Sequence, residues 1–113
     1  MLVISAAAFA AISGVARAEA PYINAYEVPR CTRIDPRDVP YPASARWAGQ
    51  SGEVTVGGVV LRDGTVSDVT LLASSGHTEL DDVVTAAFMC IHCTADEGVR
   101  PIRMKQKITF SLM

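Results

Sequence analysis

Two valine-rich runs separated by Asp63-Gly64 predict a β-hairpin between residues 52 and 76. A two-residue Asp-Gly insert between such runs is a strong hairpin signal, because both residues tolerate the positive φ angles of a tight turn. Gly58 leaves room for a close neighbour on the first strand. Three valines of that strand share one face: Val54, Val56 and Val60. The hairpin therefore has an apolar face that another element must cover.

An amphipathic helix is predicted after the hairpin. Its apolar residues recur with the spacing of one helix face at Leu80, Val83, Val84, Ala87, Phe88 and Ile91. Thr78 is the predicted N-cap, and Asp81 favours the exposed amides of the first turn. We expect this helix to lie on the apolar face of the hairpin.

A shorter helix is predicted before the hairpin, over residues 41–49. Pro42 suits its first turn, and Gly49 suits a left-handed terminator. Ala45, Trp47 and Ala48 give this helix a small side for burial.

A third strand is predicted where apolar and polar residues alternate, over residues 102–112. The apolar side carries Ile102, Met104, Ile108, Phe110 and Leu112. The other side is basic and faces water, with Arg103, Lys105, Lys107, Thr109 and Ser111.

Connection rules turn these elements into an α+β fold. A right-handed crossover through the long helix brings the third strand beside the first, antiparallel to it. The expected domain is a three-stranded antiparallel sheet of order 2-1-3 with two helices on one face. The third strand is then expected to be an open edge.

The N-terminal third is predicted to lie outside this domain, which covers residues 41–113. Residues 1–18 predict a cleaved signal peptide, because a short apolar run ends in Ala16-Arg17-Ala18. No basic residue precedes that run. The alternative is that the true start lies upstream and that the run is an uncleaved inner-membrane anchor, with the domain facing the periplasm. Residues 19–40 contain four prolines and predict an arm or linker.

Composition and motifs argue against several functions. The formal net charge is −2, whereas a nucleic-acid-binding domain carries a clustered basic surface, so this charge argues against nucleic-acid binding. Asp81 and Asp82 diverge on a helix, and no nucleophile with a base or phosphate-binding loop accompanies them. We therefore predict neither an enzyme nor a bound cofactor.

The three cysteines leave one thiol over if two of them pair in an oxidising compartment. Cys31 lies in the arm, and Cys90 and Cys93 flank the end of the long helix. A helix C-terminus raises the pKa of a thiol, which disfavours redox catalysis. Cys90, His92 and Cys93 lack a fourth ligand, so no metal site is predicted.

Residues 41–112 resemble the C-terminal domain of the TonB energy-transducer family. The residues that carry the resemblance are Tyr41-Pro42, Ala45, Gly49, Gly52 with Val54, Asp63-Gly64-x-Val66, Ser74-Ser75-Gly76, Leu80-Asp81, Gly98, Pro101 and Phe110. The resemblance implies two helices on a three-stranded antiparallel sheet and a periplasmic domain that grips a short peptide of a TonB-dependent outer-membrane receptor. His92 and Thr94 stand where the family pattern has Phe and Pro, and the chain as written has neither a long membrane helix nor a long spacer.

The resemblance and the open edge together predict a partner site on the third strand, at Arg103, Lys105, Lys107 and Thr109. An extended, acidic peptide would add there as a further strand. The alternative is that the basic side chains only guard the edge against aggregation. A second functional reading is a structural or assembly module, in which the edge pairs with another copy to form a homodimer.

The resemblance also implies a disulfide between Cys31 and Cys90, because many relatives have a cysteine at the helix end and another in the arm. Cys93 would then be free or buried. A bond between Cys90 and Cys93 is the alternative.

Overall fold

The structure is a computed structural model that describes residues 21–112. The predicted signal peptide lies outside the described residues. The strands are β1 (Ile23–Asn24), β2 (Gly52–Val60), β3 (Val66–Ala73) and β4 (Ile102–Phe110). The α-helices are α1 (Ala43–Trp47) and α2 (Thr78–Met89), and two 3-10 turns span Ala25–Glu27 and Pro36–Asp38.

The strands form one mixed sheet of order β1-β4-β2-β3. β4 runs antiparallel to β2 from Gly52 opposite Phe110 to Val60 opposite Ile102. The predicted order of the three long strands is therefore confirmed. The prediction of a purely antiparallel three-stranded sheet is wrong, because β1 adds parallel to β4. A two-residue strand leaves no periodic pattern in the sequence.

The hairpin between β2 and β3 closes through a longer loop than predicted. The Leu61 N–H donates to the Thr65 carbonyl at 2.8 Å, and the Gly64 N–H donates to the Leu61 carbonyl at 3.0 Å. Gly64 has a φ of +93°, whereas Asp63 has no positive φ and instead accepts from the Thr65 N–H. One left-handed glycine after a turn is the common three-residue hairpin loop.

The core lies between α2 and one face of the sheet. The buried side chains of α2 include Leu80, Val84 and Phe88, which are completely buried as predicted. A Cβ atom on Gly58 would lie 3.0 Å from the Phe88 ring. The absence of a side chain at Gly58 therefore lets the aromatic ring approach β2, and the predicted close neighbour is Phe88.

The start of α2 is fixed by a carboxylate that is not a simple cap. His77 occupies the N-cap position without a side-chain bond, so the predicted Thr78 cap is wrong. Asp81 is 8% exposed, and its carboxylate accepts from the Ser74 hydroxyl at 2.5 Å and the Ser75 N–H at 2.9 Å. Burial acts to raise the pKa of Asp81, but these hydrogen bonds outweigh burial and lower the pKa below its usual value.

The helix α1 is anchored by a small residue. Ala45 is completely buried, and Gly49, just after the C-cap residue Ala48, has the predicted left-handed conformation with a φ of +71°. Trp47 is 89% exposed, so the predicted burial of its side chain is wrong. The Ser44 hydroxyl donates to Glu79, which ties α1 to the first turn of α2.

The N-terminal arm belongs to the folded domain in the described chain. Four of its side chains are buried in the core: Ala25, Val28, Ile34 and Val39. The arm is also bound by Gln106, which is completely buried on β4. The Gln106 side-chain oxygen accepts from the Ile34 N–H at 2.9 Å, and its nitrogen donates to the Ile34 carbonyl at 2.7 Å. The predicted arm or linker, as far as the structure describes it, therefore packs against the domain as well as preceding it.

The disulfide joins Cys31 to Cys93 and not to Cys90. The Thr32 N–H donates to the His92 carbonyl at 2.8 Å, and the Thr94 N–H donates to the Arg30 carbonyl at 2.7 Å. These two bonds place Cys31 and Cys93 directly opposite each other, in the kind of antiparallel pair whose side chains lie closest. Cys90 directly follows α2 and is an exposed free thiol. The predicted pairing of Cys31 with Cys90 is thus corrected.

Candidate partner-binding edge

The outer side of β4 is the edge that we predicted to bind a partner, and β1 covers part of it. Ile23 lies opposite Met104, and Asn24 lies opposite Lys105. In the described chain no strand pairs with the outer side of β4 beyond Lys105. The expectation of a wholly open edge is therefore wrong. The part of β4 that lies beyond Lys105, residues 106–110, is named here the free edge.

The four predicted site residues fall on one face but on different halves of the strand. They lie opposite the buried face that carries Met104 and Ile108. Arg103 and Lys105 belong to the half of β4 where β1 lies, whereas Lys107 and Thr109 lie on the free edge. The prediction puts all four residues on an open strand, because no pattern in the sequence indicates β1.

Tyr22, directly before β1, is a contact residue that sequence reasoning missed. The Arg103 guanidinium lies 4.0 Å from the centre of the Tyr22 ring. A Cβ atom on Gly57 would lie 2.7 Å from the same ring, so Tyr22 crosses the sheet on the face opposite Phe88. Gly57 and Gly58 thus admit one aromatic ring on each face of β2.

The charges beside the free edge remain accessible to solvent. Lys107 lies 3.8 Å from Glu53 across the strands, and both side chains are more than half exposed. Exposed ion pairs of this kind contribute about 0–1 kcal/mol. The Lys107 ammonium can therefore exchange Glu53 for an acidic group of a partner at little cost.

The free edge is held in place by its buried side chains. Gln106 is fixed by its two bonds to Ile34. Phe110 packs edge-to-face on Tyr41 with 5.2 Å between ring centres, and the Tyr41 hydroxyl donates to the Gln50 carbonyl. A rigid edge loses little conformational entropy when a strand adds to it.

The opposite edge of the sheet, β3, is less suited to strand addition. Its pairing with β2 shifts register between Thr55 and Val56 and again between Gly57 and Val59. Asp68 adopts a left-handed φ of +52° at the second shift. Bulges of this kind twist an edge and interrupt its row of main-chain groups. β4 is therefore the better template.

Other chemistry is not assembled in the part of the chain that the structure describes. Residues 21–112 contain no group of three or more side chains that could hold a metal ion. None of the helices in that range is long and apolar enough to cross a membrane.

Comparisons with known proteins agree with this architecture. The model of the family described as Gram-negative bacterial TonB protein C-terminal matches residues 37–112. The solution structure of a TonB C-terminal domain from Helicobacter pylori is similar with a TM-score of 0.57 and 25% identity, over 68% of this chain and 72% of that one. The Pseudomonas aeruginosa TonB C-terminal domain has a TM-score of 0.58 at 23% identity, over 72% of this chain and 83% of that one. No curated protein matches the chain by sequence.

Proposed function

Because this chain belongs to the family of TonB protein C-terminal domains, which supports a TonB-like role in energy transduction, we propose that it binds a receptor peptide by strand addition. The partner is a short extended peptide of a TonB-dependent outer-membrane receptor. The peptide pairs with the outer side of β4, and the domain faces the periplasm.

One observation carries the proposal: an extended segment of the chain itself already lies on the outer side of β4. Ile23 and Asn24 pair there in strand geometry. The main-chain groups on this side of β4 are therefore spaced and oriented for an added strand. The free edge continues the same row of groups from Gln106 to Phe110.

The size of the free edge limits the affinity that main-chain pairing can supply. Pairing over residues 106–110 forms about five main-chain hydrogen bonds. At a net of about 1 kcal/mol each, these bonds correspond to a Kd no lower than about 0.2 mM before ordering costs. Side-chain contacts must supply the rest of the affinity, and Lys105 and Lys107 favour a peptide with acidic residues on the matching face.

The test is a titration with peptides tiled from the periplasm-facing segments of the cell's own TonB-dependent receptors. In strand addition, only alternate residues of the peptide direct their N–H groups toward β4. Two N-methylated versions of the binding peptide are therefore compared, one methylated at odd and one at even positions. We expect one version to lose binding and the other to retain it.

The outcome that contradicts strand addition is equal binding of the two methylated peptides. Lys107→Glu is expected to weaken the binding of an acidic peptide several-fold, with the half-buried residue Lys105 left intact as a second contact. Light scattering on the same samples tests the homodimer reading. A dimer that persists with peptide present, without saturable peptide binding, would favour the assembly role.

A further inference from the structure

We infer that residues 22–24 form an intramolecular cover on β4, which must leave before a longer peptide can add along the whole strand. The identity of that peptide rests on the proposed function. We name residues 22–24 the cover segment.

The cover segment occupies main-chain positions that a receptor peptide would need. Its two strand residues pair with Met104 and Lys105, in the middle of the nine-residue strand β4. A peptide that pairs with the free edge and extends toward the start of β4 therefore meets the cover segment at Lys105. Strand addition along all of β4 and the present position of the cover segment exclude each other.

One side chain anchors the cover segment from above the sheet. The Tyr22 ring fills the space over Gly57 and lies 4.0 Å from the Arg103 guanidinium. An arginine over an aromatic ring is a favourable contact that is easily exchanged at a half-exposed site. Tyr22 itself is only half-buried.

The packing beside the cover segment is loose. Ile23 is half-buried and lines an open cleft of about 340 Å³ between the arm and the loop before β4. Packing changes abruptly at the next residues, because Ala25 is 3% exposed and Val28 is 6% exposed. The segment can therefore leave while the rest of the arm stays in the core.

The disulfide makes this release local. Cys31 is joined to Cys93, so the arm after Ala25 stays attached to the end of α2. Asn24 is the pivot, since its side chain accepts from the Tyr26 N–H at 3.0 Å and starts the 3-10 turn. A bound peptide must compete with a tethered segment, and its apparent affinity falls by the fraction of molecules in which the edge is uncovered.

Tyr22→Ala tests the cover, with Tyr26→Ala as the matched control. Tyr26 also lies against an arginine, 4.5 Å from Arg33, but its ring is 57% exposed. We expect Tyr22→Ala to lower the Kd of the tiled receptor peptides about tenfold, equivalent to about 1.4 kcal/mol. Tyr26→Ala is expected to match the unsubstituted protein. An unchanged Kd for Tyr22→Ala would overturn the inference.

Hydrogen exchange without peptide decides the same question independently. Gly57→Ala places a Cβ atom 2.7 Å from the Tyr22 ring and 2.8 Å from the Leu72 side chain, so it displaces the ring without a substitution in the arm. In Tyr22→Ala and Gly57→Ala, amides of Ile23, Asn24 and the β4 residues opposite them are expected to exchange at least tenfold faster, with α2 unchanged. Exchange of β1 only through global unfolding would refute the cover. If no peptide binds any variant, the proposed function fails and the exchange data still decide on the cover.

Discussion

Replacing Gln106 with leucine is expected to separate the arm from the sheet. Gln106 is completely buried, and its two hydrogen bonds to Ile34 join residues separated by 72 positions. Leucine keeps the approximate volume but leaves the N–H and carbonyl of Ile34 without partners, although Ile34 is only 5% exposed. Each orphaned buried group costs about 1–3 kcal/mol, so the loss of two partners should lower the free energy of unfolding by about 2–6 kcal/mol.

Urea denaturation with the disulfide intact measures this loss. With an m-value of about 1.5 kcal/mol/M, a loss of 3 kcal/mol lowers the midpoint by about 2 M. Gln50→Leu is the matched control, because the side-chain oxygen of Gln50 is buried without a hydrogen-bond partner among the described residues. The control should be neutral or slightly stabilising. A change below about 0.5 kcal/mol for Gln106→Leu would refute the role of this contact.

Three further predictions concern stability. Because the pKa of Asp81 is lowered in the folded state, its stabilising contribution is present above about pH 4 and is lost as pH falls through the folded pKa. The melting temperature of Asp81→Asn should therefore depend less on pH, between about 2 and 5, than that of the unsubstituted protein. Asp82→Asn, at an exposed position, is the control. Cys31→Ser should lower the free energy of unfolding by about 4 kcal/mol, because it removes a disulfide with a sequence separation of 62. Cys90→Ser should change the urea midpoint little. Peptide mapping should recover Cys31 linked to Cys93. Gly64→Ala should destabilise the protein far more than Gly49→Ala in thermal melts. Both glycines have positive φ, but only a Cβ on Gly64 would clash with the Cys93 carbonyl oxygen, since nothing lies within 4 Å of a Cβ on Gly49. Equal losses would contradict that reasoning.

The elements with a strong hydrophobic period were predictable from sequence. β2, α2 and β4 each repeat apolar residues at the spacing of their own secondary structure, and connection rules then gave the order of the long strands. Gly58 was also interpretable, because a glycine within a valine-rich strand indicates a close neighbour. The face of β4 that carries Lys107 and Thr109 followed from alternation alone.

The arm and the covered half of β4 were not predictable by the same reasoning. Val28, Ile34 and Val39 are buried one at a time between turns, so they form no period. Gln106 reads as a polar interruption of an apolar face until its partner, the main chain of Ile34, is known. The register that brings Cys31 opposite Cys93 likewise depends on main-chain bonds between distant segments. Tertiary contacts decided each of these features.

The structure of the protein bound to a receptor peptide would test the account most directly. Intermolecular distances measured by NMR on labelled protein should place the backbone of a peptide longer than the free edge along all of β4, residues 102–110, with the Tyr22 ring no longer against Arg103. A peptide bound along β3, or on the helical face while the outer side of β4 stays vacant, would contradict strand addition at this edge.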